Sequence, residues 1–182
     1  QGCADYAFQQ HIQKSLYEGD GRSVVLWPYG VLFRDAEREM RQQMIDSDVV
    51  ECVIALGKNL FYNSVMESCL LITNNNKAAD KKAKVMFIDA REELKREKTM
   101  SYLMPEHITK IYNAYKSFKA VKEFTNIADL DEIAKKEYSL NVPLYVKGKG
   151  IKYLPIDDAY SQWQVLSGTL KQSMTKLLEA PK

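Results

Sequence analysis

Four short apolar runs constrain the fold of this 182-residue chain more than any other feature. They are residues 23–27, 49–56, 68–73 and 85–88, and turn-forming or polar residues bound them. A short, nearly continuous apolar run is typical of a strand that is buried on both faces. Because apolar residues at helical spacing occur between and after these runs, the sequence predicts an α/β domain.

The first two predicted helices lie on either side of the first run. In the first helix, Phe8, Ile12 and Leu16 recur at a spacing of four residues, which predicts an apolar face made of these side chains. The second helix contains Glu37 and Arg41, whose i, i+4 spacing predicts an ion pair on its surface.

After residue 90 the character of the sequence changes. Pro105 suits the first position of a helix, and Asp129 with Glu132 resembles a capping box for a short one. Residues 140–146 are expected to be extended around Pro143. The predicted apolar face of the helix after Pro105 consists of Ile108, Ile111, Tyr112, Tyr115 and Phe118.

These signals divide the sequence into three predicted parts. Residues 1–90 form the α/β part, residues 91–146 form a helical extension, and residues 147–182 form a linker and an amphipathic helix. The last helix has a narrow apolar seam of the coiled-coil kind, which predicts a partner helix. The residues of this partner-helix seam are Trp163, Leu166, Leu170, Met174 and Leu177.

The composition excludes several kinds of site. With 26 basic and 24 acidic residues the net charge is +2, which neither indicates nor excludes a nucleic-acid partner. Cys3, Cys52 and Cys69 are too widely spaced for a disulfide framework or a zinc site, and Cys52 and Cys69 are expected in the core. His11 and His107 are interpreted as surface or core-edge helix residues, so no metal site is predicted.

The usual sequence signatures of catalysis are also missing. The sequence contains no phosphate-binding loop, no dinucleotide-binding glycine motif and no nucleophile elbow, and we assign no catalytic residue. Basic residues in two connections could contact phosphates, although lysines in loops are more often simply solvated. These residues are Lys77, Lys81, Lys82, Lys84, Lys147, Lys149 and Lys152.

The order of the segments indicates more than the composition does. The informative segments are residues 5–8, 21–33, 49–56, 59–62, 85–90, 106–108 and 138–146. In this order and spacing they resemble the modification (M) subunit of type I restriction–modification systems, an adenine-specific DNA methyltransferase. The resemblance covers nearly the whole chain.

The resemblance implies a fold. The family has a Rossmann-like methyltransferase sheet whose last strand is antiparallel, and this chain would supply the second half of that sheet. Residues 23–27 would be its fifth strand, 49–56 its sixth and 68–73 its antiparallel seventh. The short connection from residue 56 to residue 68 suits an antiparallel hairpin, because a parallel crossover needs a dozen or more residues.

The resemblance also implies a reaction, the transfer of a methyl group from S-adenosylmethionine to the 6-amino group of adenine in DNA. Two parts of that machinery, the glycine-rich cofactor loop and an Asn-Pro-Pro-aromatic segment, do not occur in the sequence, in which no two of the five prolines are adjacent. We therefore expect the chain to begin just after that segment. By itself it is expected to bind no S-adenosylmethionine and to be inactive.

One predicted loop holds the candidates for contact with DNA. Phe61, Tyr62 and Asn63 lie in the connection between the predicted sixth and seventh strands, a hairpin whose tip is near the DNA in the resembling family. They could approach a flipped base or the DNA backbone. Alternatively, the two aromatic rings cover the end of the sheet. The sequence departs from the family pattern here, with Leu56-Gly57 where Leu-Pro is usual.

The implied partners are the DNA-specificity subunit and the restriction subunit of the same system, with DNA in the intact complex, no membrane and a cytoplasmic location. A second hypothesis treats the protein as an assembly module that binds the specificity subunit through its last helix, unless that helix folds back on its own domain. A third, a free-standing α/β enzyme or nucleotide-binding protein, is disfavoured because no glycine-rich loop opens a helix after a strand.

Overall fold

The computed structural model describes residues 4–98, 100–148 and 156–178, and the protein divides into two compact units, residues 1–148 and residues 149–182. The first unit contains seven described strands: β1 (Arg22–Pro28), β2 (Val50–Leu56), β3 (Ser68–Asn74), β4 (Lys84–Ala90), β5 (Lys95–Arg96), β6 (Ser101–Tyr102) and β7 (Thr125–Asp129). The described helices are α1 (Asp5–Ser15), α2 (Arg38–Asp46), α3 (Pro105–Ser117), α4 (Leu130–Lys135) and, in the second unit, α5 (Ile156–Leu178).

Five strands form one mixed sheet in the order β1-β3-β2-β4-β7, and β5 pairs with β6 in a small hairpin. β3 lies between β1 and β2 and is antiparallel to both, with Leu56 opposite Ser68 at the start of the β2–β3 connection. β4 is parallel to β2, and β7 is antiparallel to β4. The four predicted strands and the antiparallel hairpin are therefore confirmed, whereas β5, β6 and β7 were not predicted.

Each face of the sheet has its own core. On the first face, Val53, Leu71 and Phe87 pack with α1, α2 and the short 3-10 turn that follows β1. On the second face, Ile54 and Ile88 belong to a cluster that includes residues of α3. Burial on both faces explains why β2, β3 and β4 are continuous apolar runs, and the helices packed on the two faces confirm the predicted α/β class. The same burial predicted for the run at residues 23–27 is wrong, because β1 lies at the edge of the sheet and alternates between exposed and half-buried residues.

The buried face of α1 differs from the predicted one. Phe8 is exposed, and the residues of α1 that are buried are Tyr6 and Gln9. The hydroxyl of Tyr6 donates to the carbonyl oxygen of Val31, and Gln9 accepts a hydrogen bond from the indole of Trp27. A glutamine therefore takes a place that the apolar spacing assigned to other residues, because a partner on β1 satisfies its amide oxygen.

The predicted ion pair between Glu37 and Arg41 is also wrong. Glu37 accepts two hydrogen bonds from Arg34, at 2.8 and 3.0 Å. Arg41 is buried, and its guanidinium donates to the carbonyl oxygens of Tyr138, Arg34 and Val31 at 3.0, 2.7 and 3.4 Å. Arg41 thus joins α2 to the backbone of two other segments instead of pairing along its own helix.

Three further predictions need correction in the region after residue 90. α3 begins at Pro105 as expected, but Ile108 and Tyr112 are exposed, and the side of α3 facing the sheet is marked by Ile111 and Ala114. The segment around Pro143 was expected to be extended but contains a 3-10 turn, Val142–Leu144. Only half of the predicted capping box of α4 is present. The Asp129 carboxylate accepts from the backbone N–H of Glu132 at 2.7 Å, but the Glu132 carboxylate accepts from Lys136.

Candidate functional site

The carboxyl ends of β1, β2 and β4 meet at one edge of the sheet, which we call the carboxyl edge. β1 and β2 are both antiparallel to β3, so they run in the same direction, and β4 is parallel to β2. In open α/β sheets, ligands bind outside the carboxyl ends of the strands. The β2–β3 loop, residues 57–67, with the predicted DNA-contacting residues at its tip, extends from this edge.

The base of the β2–β3 loop is held by a close backbone approach. Gly57 lies so near the carbonyl oxygen of Arg91 and the side chain of Leu94 that a Cβ at this position would clash with both. Further along the loop, the carbonyl oxygen of Asn59 accepts from the backbone N–H of Ser101 at 2.8 Å. The glycine that departs from the resembling family's pattern therefore permits the loop to pack against the turn after β4.

A salt bridge fixes the end of β4 at the same edge. The Arg91 guanidinium donates to both oxygens of the Asp89 carboxylate, at 2.8 and 2.7 Å. The hydrogen bonds to Asp89 raise the pKa of Arg91, so the guanidinium keeps its charge. Because Asp89 engages one whole side of the guanidinium, the pair orders the turn and leaves little capacity for a phosphate.

Tyr29 anchors the other side of the loop. Its backbone N–H donates to the carbonyl oxygen of Glu67 at 3.2 Å, and its hydroxyl donates to the side-chain oxygen of Asn141 at 3.0 Å. Burial raises the pKa of Tyr29 to about 12, which keeps the phenol protonated and able to donate. The loop is therefore tied to three separate parts of the unit.

The tip of this loop, residues 61–66, projects apolar side chains into solvent. Phe61 and Ser64 form an antiparallel bridge, and Asn63 closes the turn with a φ of 56°, a left-handed conformation that asparagine tolerates. Tyr62 is 84% exposed, and Val65 and Met66 are also exposed. Tyr62 therefore does not cover the end of the sheet, which was one of the two alternatives for these aromatic residues.

Beside the loop lies a polar cleft of about 310 Å³ whose charges are balanced. Its lining includes the cations Lys58, Arg91 and Arg96 and the carboxylates of Glu67, Glu92 and Glu97. Arg96 pairs with Glu92, and Arg91 pairs with Asp89. With equal numbers of opposite charges, the cleft has no net attraction for a phosphate backbone.

The lysines that the sequence analysis named as candidate phosphate contacts differ in their exposure and in their partners. Lys77 is only 4% exposed, and its ammonium donates to Asp48 and to the carbonyl oxygens of Val50 and Lys84, so it is neither solvated nor able to contact DNA. Lys81 pairs with Glu51 at 3.1 Å. Lys82, Lys84 and Lys147 are exposed, and Lys149 and Lys152 lie outside the described residues.

The connections that follow the strands of the carboxyl edge contain no anion-binding turn in the described part of the first unit. Within residues 4–98 and 100–148, β1 is followed by a 3-10 turn and β2 and β4 by loops, so no glycine-rich turn links the carboxyl end of a strand directly to a helix that could receive an anion. The part of the protein that the structure describes also contains no cluster of three or more histidine, cysteine or carboxylate side chains able to hold a metal. We derive no methyl-transfer step from these residues.

Comparison with known proteins identifies the family of this chain. The profile of N-6 DNA methylases matches residues 1–153, most of the sequence. The chain belongs to the N-6 DNA methylase family. A relative, the methylase subunit of the type I restriction enzyme MjaVIII from Methanocaldococcus jannaschii, is 37% identical over 147 residues, which are 79% of this chain and 25% of the relative. The chain thus spans about a quarter of the length of that relative.

Solved structures agree with this assignment. The methyltransferase subunit of a type I restriction–modification system from Streptococcus thermophilus is 34% identical, with a TM-score of 0.74 over 79% of this chain and 30% of its own. The M protein of the type I restriction enzyme EcoKI is 18% identical, with a TM-score of 0.64 over 98% of this chain and 45% of its own, and it supports the fold alone. The resemblance predicted from the sequence is confirmed.

The remaining predicted site residues lie in α5. Trp163, Leu166 and Leu170 are exposed on this helix, where the ring of Trp163 stacks on that of Tyr160 with centroids 5.9 Å apart. Met174 and Leu177 fall in the same helix, but their side chains lie outside the described part of the structure. Whether the seam binds a partner stays a prediction.

Sequence reasoning missed the residues that hold the carboxyl edge together, namely Gly57, Glu67, Asp89 and Arg91. Asp89 could have been found, because a charged residue directly after a buried strand marks the edge where ligands bind. The Tyr29–Glu67 contact is made by a backbone carbonyl, which no side-chain pattern reveals.

Proposed function

We propose that this protein is part of a type I methylase subunit that methylates the 6-amino group of adenine in DNA with S-adenosylmethionine as donor. It supplies the second half of the catalytic domain's sheet. The remaining part of the subunit supplies the loop that binds the cofactor and the catalytic Asn-Pro-Pro-aromatic segment. The family match and the 37% identity to a methylase subunit of which the chain spans a quarter support this proposal.

The observation that carries the proposal is the open edge of the sheet at β1. Within the described residues β1 has a strand on one side only, and Val24 and Leu26 are exposed beside that edge, as is Phe8 on α1. An edge strand with exposed apolar neighbours invites another strand to pair with it. The first half of the sheet, added along β1 by the remaining part of the subunit, would cover these side chains.

The loop tip then faces the DNA. An enzyme that modifies a base inside a duplex must extrude it, and aromatic side chains stack on the extruded base or on its neighbours. Tyr62 presents an exposed ring on a loop whose base is fixed at three points. We infer that Phe61, Tyr62 and Asn63 approach the DNA beside the target adenine.

Methyl-transfer and cofactor-binding assays test this function. The 182-residue protein, titrated with S-adenosylmethionine in a calorimeter, is expected to give no heat of binding and to transfer no methyl groups to DNA. A methylase subunit that contains this sequence, together with its specificity subunit, is expected to do both. Micromolar binding of S-adenosylmethionine by the 182-residue protein would contradict the proposed division of roles.

A second candidate function is assembly. The exposed Trp163, Leu166 and Leu170 on α5 favour a helix that packs against another subunit, because a surface seam of this size is rarely left uncovered. We propose the DNA-specificity subunit as that partner and the restriction subunit as a further member of the complex. In this proposal the complex of the three subunits acts on DNA in the cytoplasm.

A further inference from the structure

A second concave surface lies between α1 and α2, near the amino-terminal end of β2 and therefore away from the carboxyl edge. This groove has a volume of about 290 Å³. Met40, Met44 and Val49 provide its apolar part, and Gln9 and Gln13 on α1 provide its polar part. Neither the cofactor nor the DNA of the proposed function is expected here.

The side-chain amide of Gln9 has a fixed orientation. The indole N–H of Trp27 donates to Gln9 Oε1 at 2.9 Å, and an indole can only donate, so the oxygen of this amide must face Trp27. Gln9 is 1% exposed, and its Nε2 has no hydrogen-bond partner among the described residues. A buried N–H donor without an acceptor costs desolvation free energy, so a ligand that supplies an acceptor here would gain a hydrogen bond.

The side-chain amide of Gln13 is also fixed, but here the nitrogen is paired and the oxygen is not. Asn75 Nδ2 donates to the carbonyl oxygen of Tyr17 at 2.9 Å, which turns Asn75 Oδ1 toward Gln13 Nε2 at 2.5 Å. Gln13 Oε1 is buried and has no partner within the described part of the structure. One unpaired donor and one unpaired acceptor therefore lie four residues apart on the same face of α1.

We propose that this groove binds an extended peptide segment of a partner protein through the backbone carbonyl and backbone N–H of one residue. In an extended peptide both groups of one residue point to the same side, as they do in an antiparallel ladder. The carbonyl oxygen would accept from Gln9 Nε2, and the N–H would donate to Gln13 Oε1. An aliphatic side chain of the same segment would pack on Met40, Met44 and Val49.

The lining favours a peptide over a nucleotide. It contains no aromatic ring on which a base could stack, and Lys14 is its one cation. Recognition of single-stranded nucleic acid combines stacking platforms with several positive charges. The proposal does not rest on the methylase function, because the groove is built from residues outside the carboxyl edge.

The test is an NMR titration of the ¹⁵N-labelled 182-residue protein with N-acetyl-leucine N-methylamide. The side-chain amide signals of Gln9 and Gln13 are expected to shift together and to saturate with a dissociation constant of about 1–10 mM, as suits a ligand of this size. The matched probe replaces the leucine N–H by an ester oxygen and is expected to bind about fivefold more weakly. Equal binding of the two probes, no shift of either glutamine, or stronger shifts with cytidine would overturn the proposal.

Variants supply an independent readout. Gln13→Met retains the shape of the side chain but removes the acceptor, and it is expected to weaken binding of the amide probe about fivefold. Gln42→Met, on α2 but outside the groove lining, is the control and should bind as the parent protein does. Unchanged binding by Gln13→Met would refute the assigned acceptor. The comparison of the two probes on the unmodified protein holds even if Gln13→Met fails to fold.

Discussion

Glu51 carries a buried carboxylate at the start of β2, with a side chain that is 1% exposed. Burial by itself would raise its pKa, but hydrogen bonds from Asn74, Tyr115 and Lys81 outweigh this effect and lower the pKa below its ordinary value of 4.5. The bonds from Asn74 and Tyr115 are 2.5 and 2.7 Å long. One ionised residue therefore connects β2, β3, the loop after β3 and α3.

Glu51→Gln is expected to lower the free energy of unfolding at pH 7 by about 2–4 kcal/mol, because it removes the charge that Lys81 pairs with. Since the pKa is lower in the folded state, the carboxylate stabilises the fold above pH 4.5, and this contribution is lost as the pH falls through the folded-state pKa. Urea denaturation at several pH values measures both effects. The difference between parent and variant should shrink on acidification.

The exposed Glu97 provides the control for this experiment. Glu97→Gln is expected to change the free energy of unfolding by no more than about 1 kcal/mol at any pH, because its pairing with Lys95 is solvent-screened. If Glu51→Gln and Glu97→Gln gave the same pH profile, the assigned network would be wrong.

Glycine is required at position 57 because neighbouring atoms leave no room for a Cβ, and not because the backbone conformation demands it. Its φ is not positive, but a side chain would meet the carbonyl oxygen of Arg91 and the side chain of Leu94. Gly57→Ala is therefore expected to cost about 1–3 kcal/mol of stability, measured by chemical denaturation. Gly148→Ala, at a glycine with open space around it, should cost much less. Equal stabilities of the two variants would show that the loop yields without cost.

At the scale of elements, the β2–β3 loop combines a fixed base with an exposed tip. Backbone contacts with Tyr29, Arg91 and Ser101 hold its base, whereas Tyr62 projects into solvent. Single exposed apolar side chains are common on protein surfaces, but here Val65 and Met66 are exposed on the same loop as Tyr62. A rigid support with an apolar end suits a surface that must meet a partner at a set position.

Tyr62→Ala is expected to leave stability within about 0.5 kcal/mol, since the ring contributes little burial. In a methylase that contains this sequence, the same change should weaken DNA binding by about 1–3 kcal/mol through loss of base stacking. Fluorescence anisotropy with duplex DNA measures the effect. Tyr17→Ala, at an exposed tyrosine after α1, is the control, and equal DNA affinities of the two variants would refute the role of Tyr62.

At the scale of the whole molecule, the protein has two compact units. The first has cores on both faces of its sheet, and the second contains α5. Deletion of residues 155–182 should therefore leave the unfolding midpoint of the first unit unchanged. If the assembly proposal is right, the same deletion abolishes binding to the DNA-specificity subunit in size-exclusion chromatography.

Point variants sharpen this experiment. Simultaneous replacement of Trp163, Leu166 and Leu170 by serine should reproduce the loss of binding, because these exposed residues form the described part of the seam. The control replaces Ile108 and Tyr112, which are similarly exposed on α3, by serine. A deletion that lowers the midpoint of the first unit would instead indicate that the last helix stabilises its own domain.

Local signals were enough for the elements whose stability is local. The runs that became β2, β3 and β4 were evident because burial on both faces demands continuous apolar sequence. The run that became β1 was equally apolar, although β1 is an edge strand with exposed side chains. Pro105 and Asp129 marked helix starts because the first turn of a helix has its own chemistry. β7, with the sequence Thr-Asn-Ile-Ala-Asp, lacked such a signal because it lies at the edge of the sheet.

The sequence by itself determined the fold class, the main strands and the antiparallel hairpin, since each follows from the order and periodicity of the residues. It indicated the family only through its resemblance to known methyltransferase subunits. Tertiary structure alone decided that Gln9 and Arg41 are buried, that Lys77 is held by Asp48 and two carbonyl oxygens, and that Phe8 is exposed. The physical reason is that burial of a polar group depends on its partner. Those partners lie on other segments, and most become neighbours only in the folded protein.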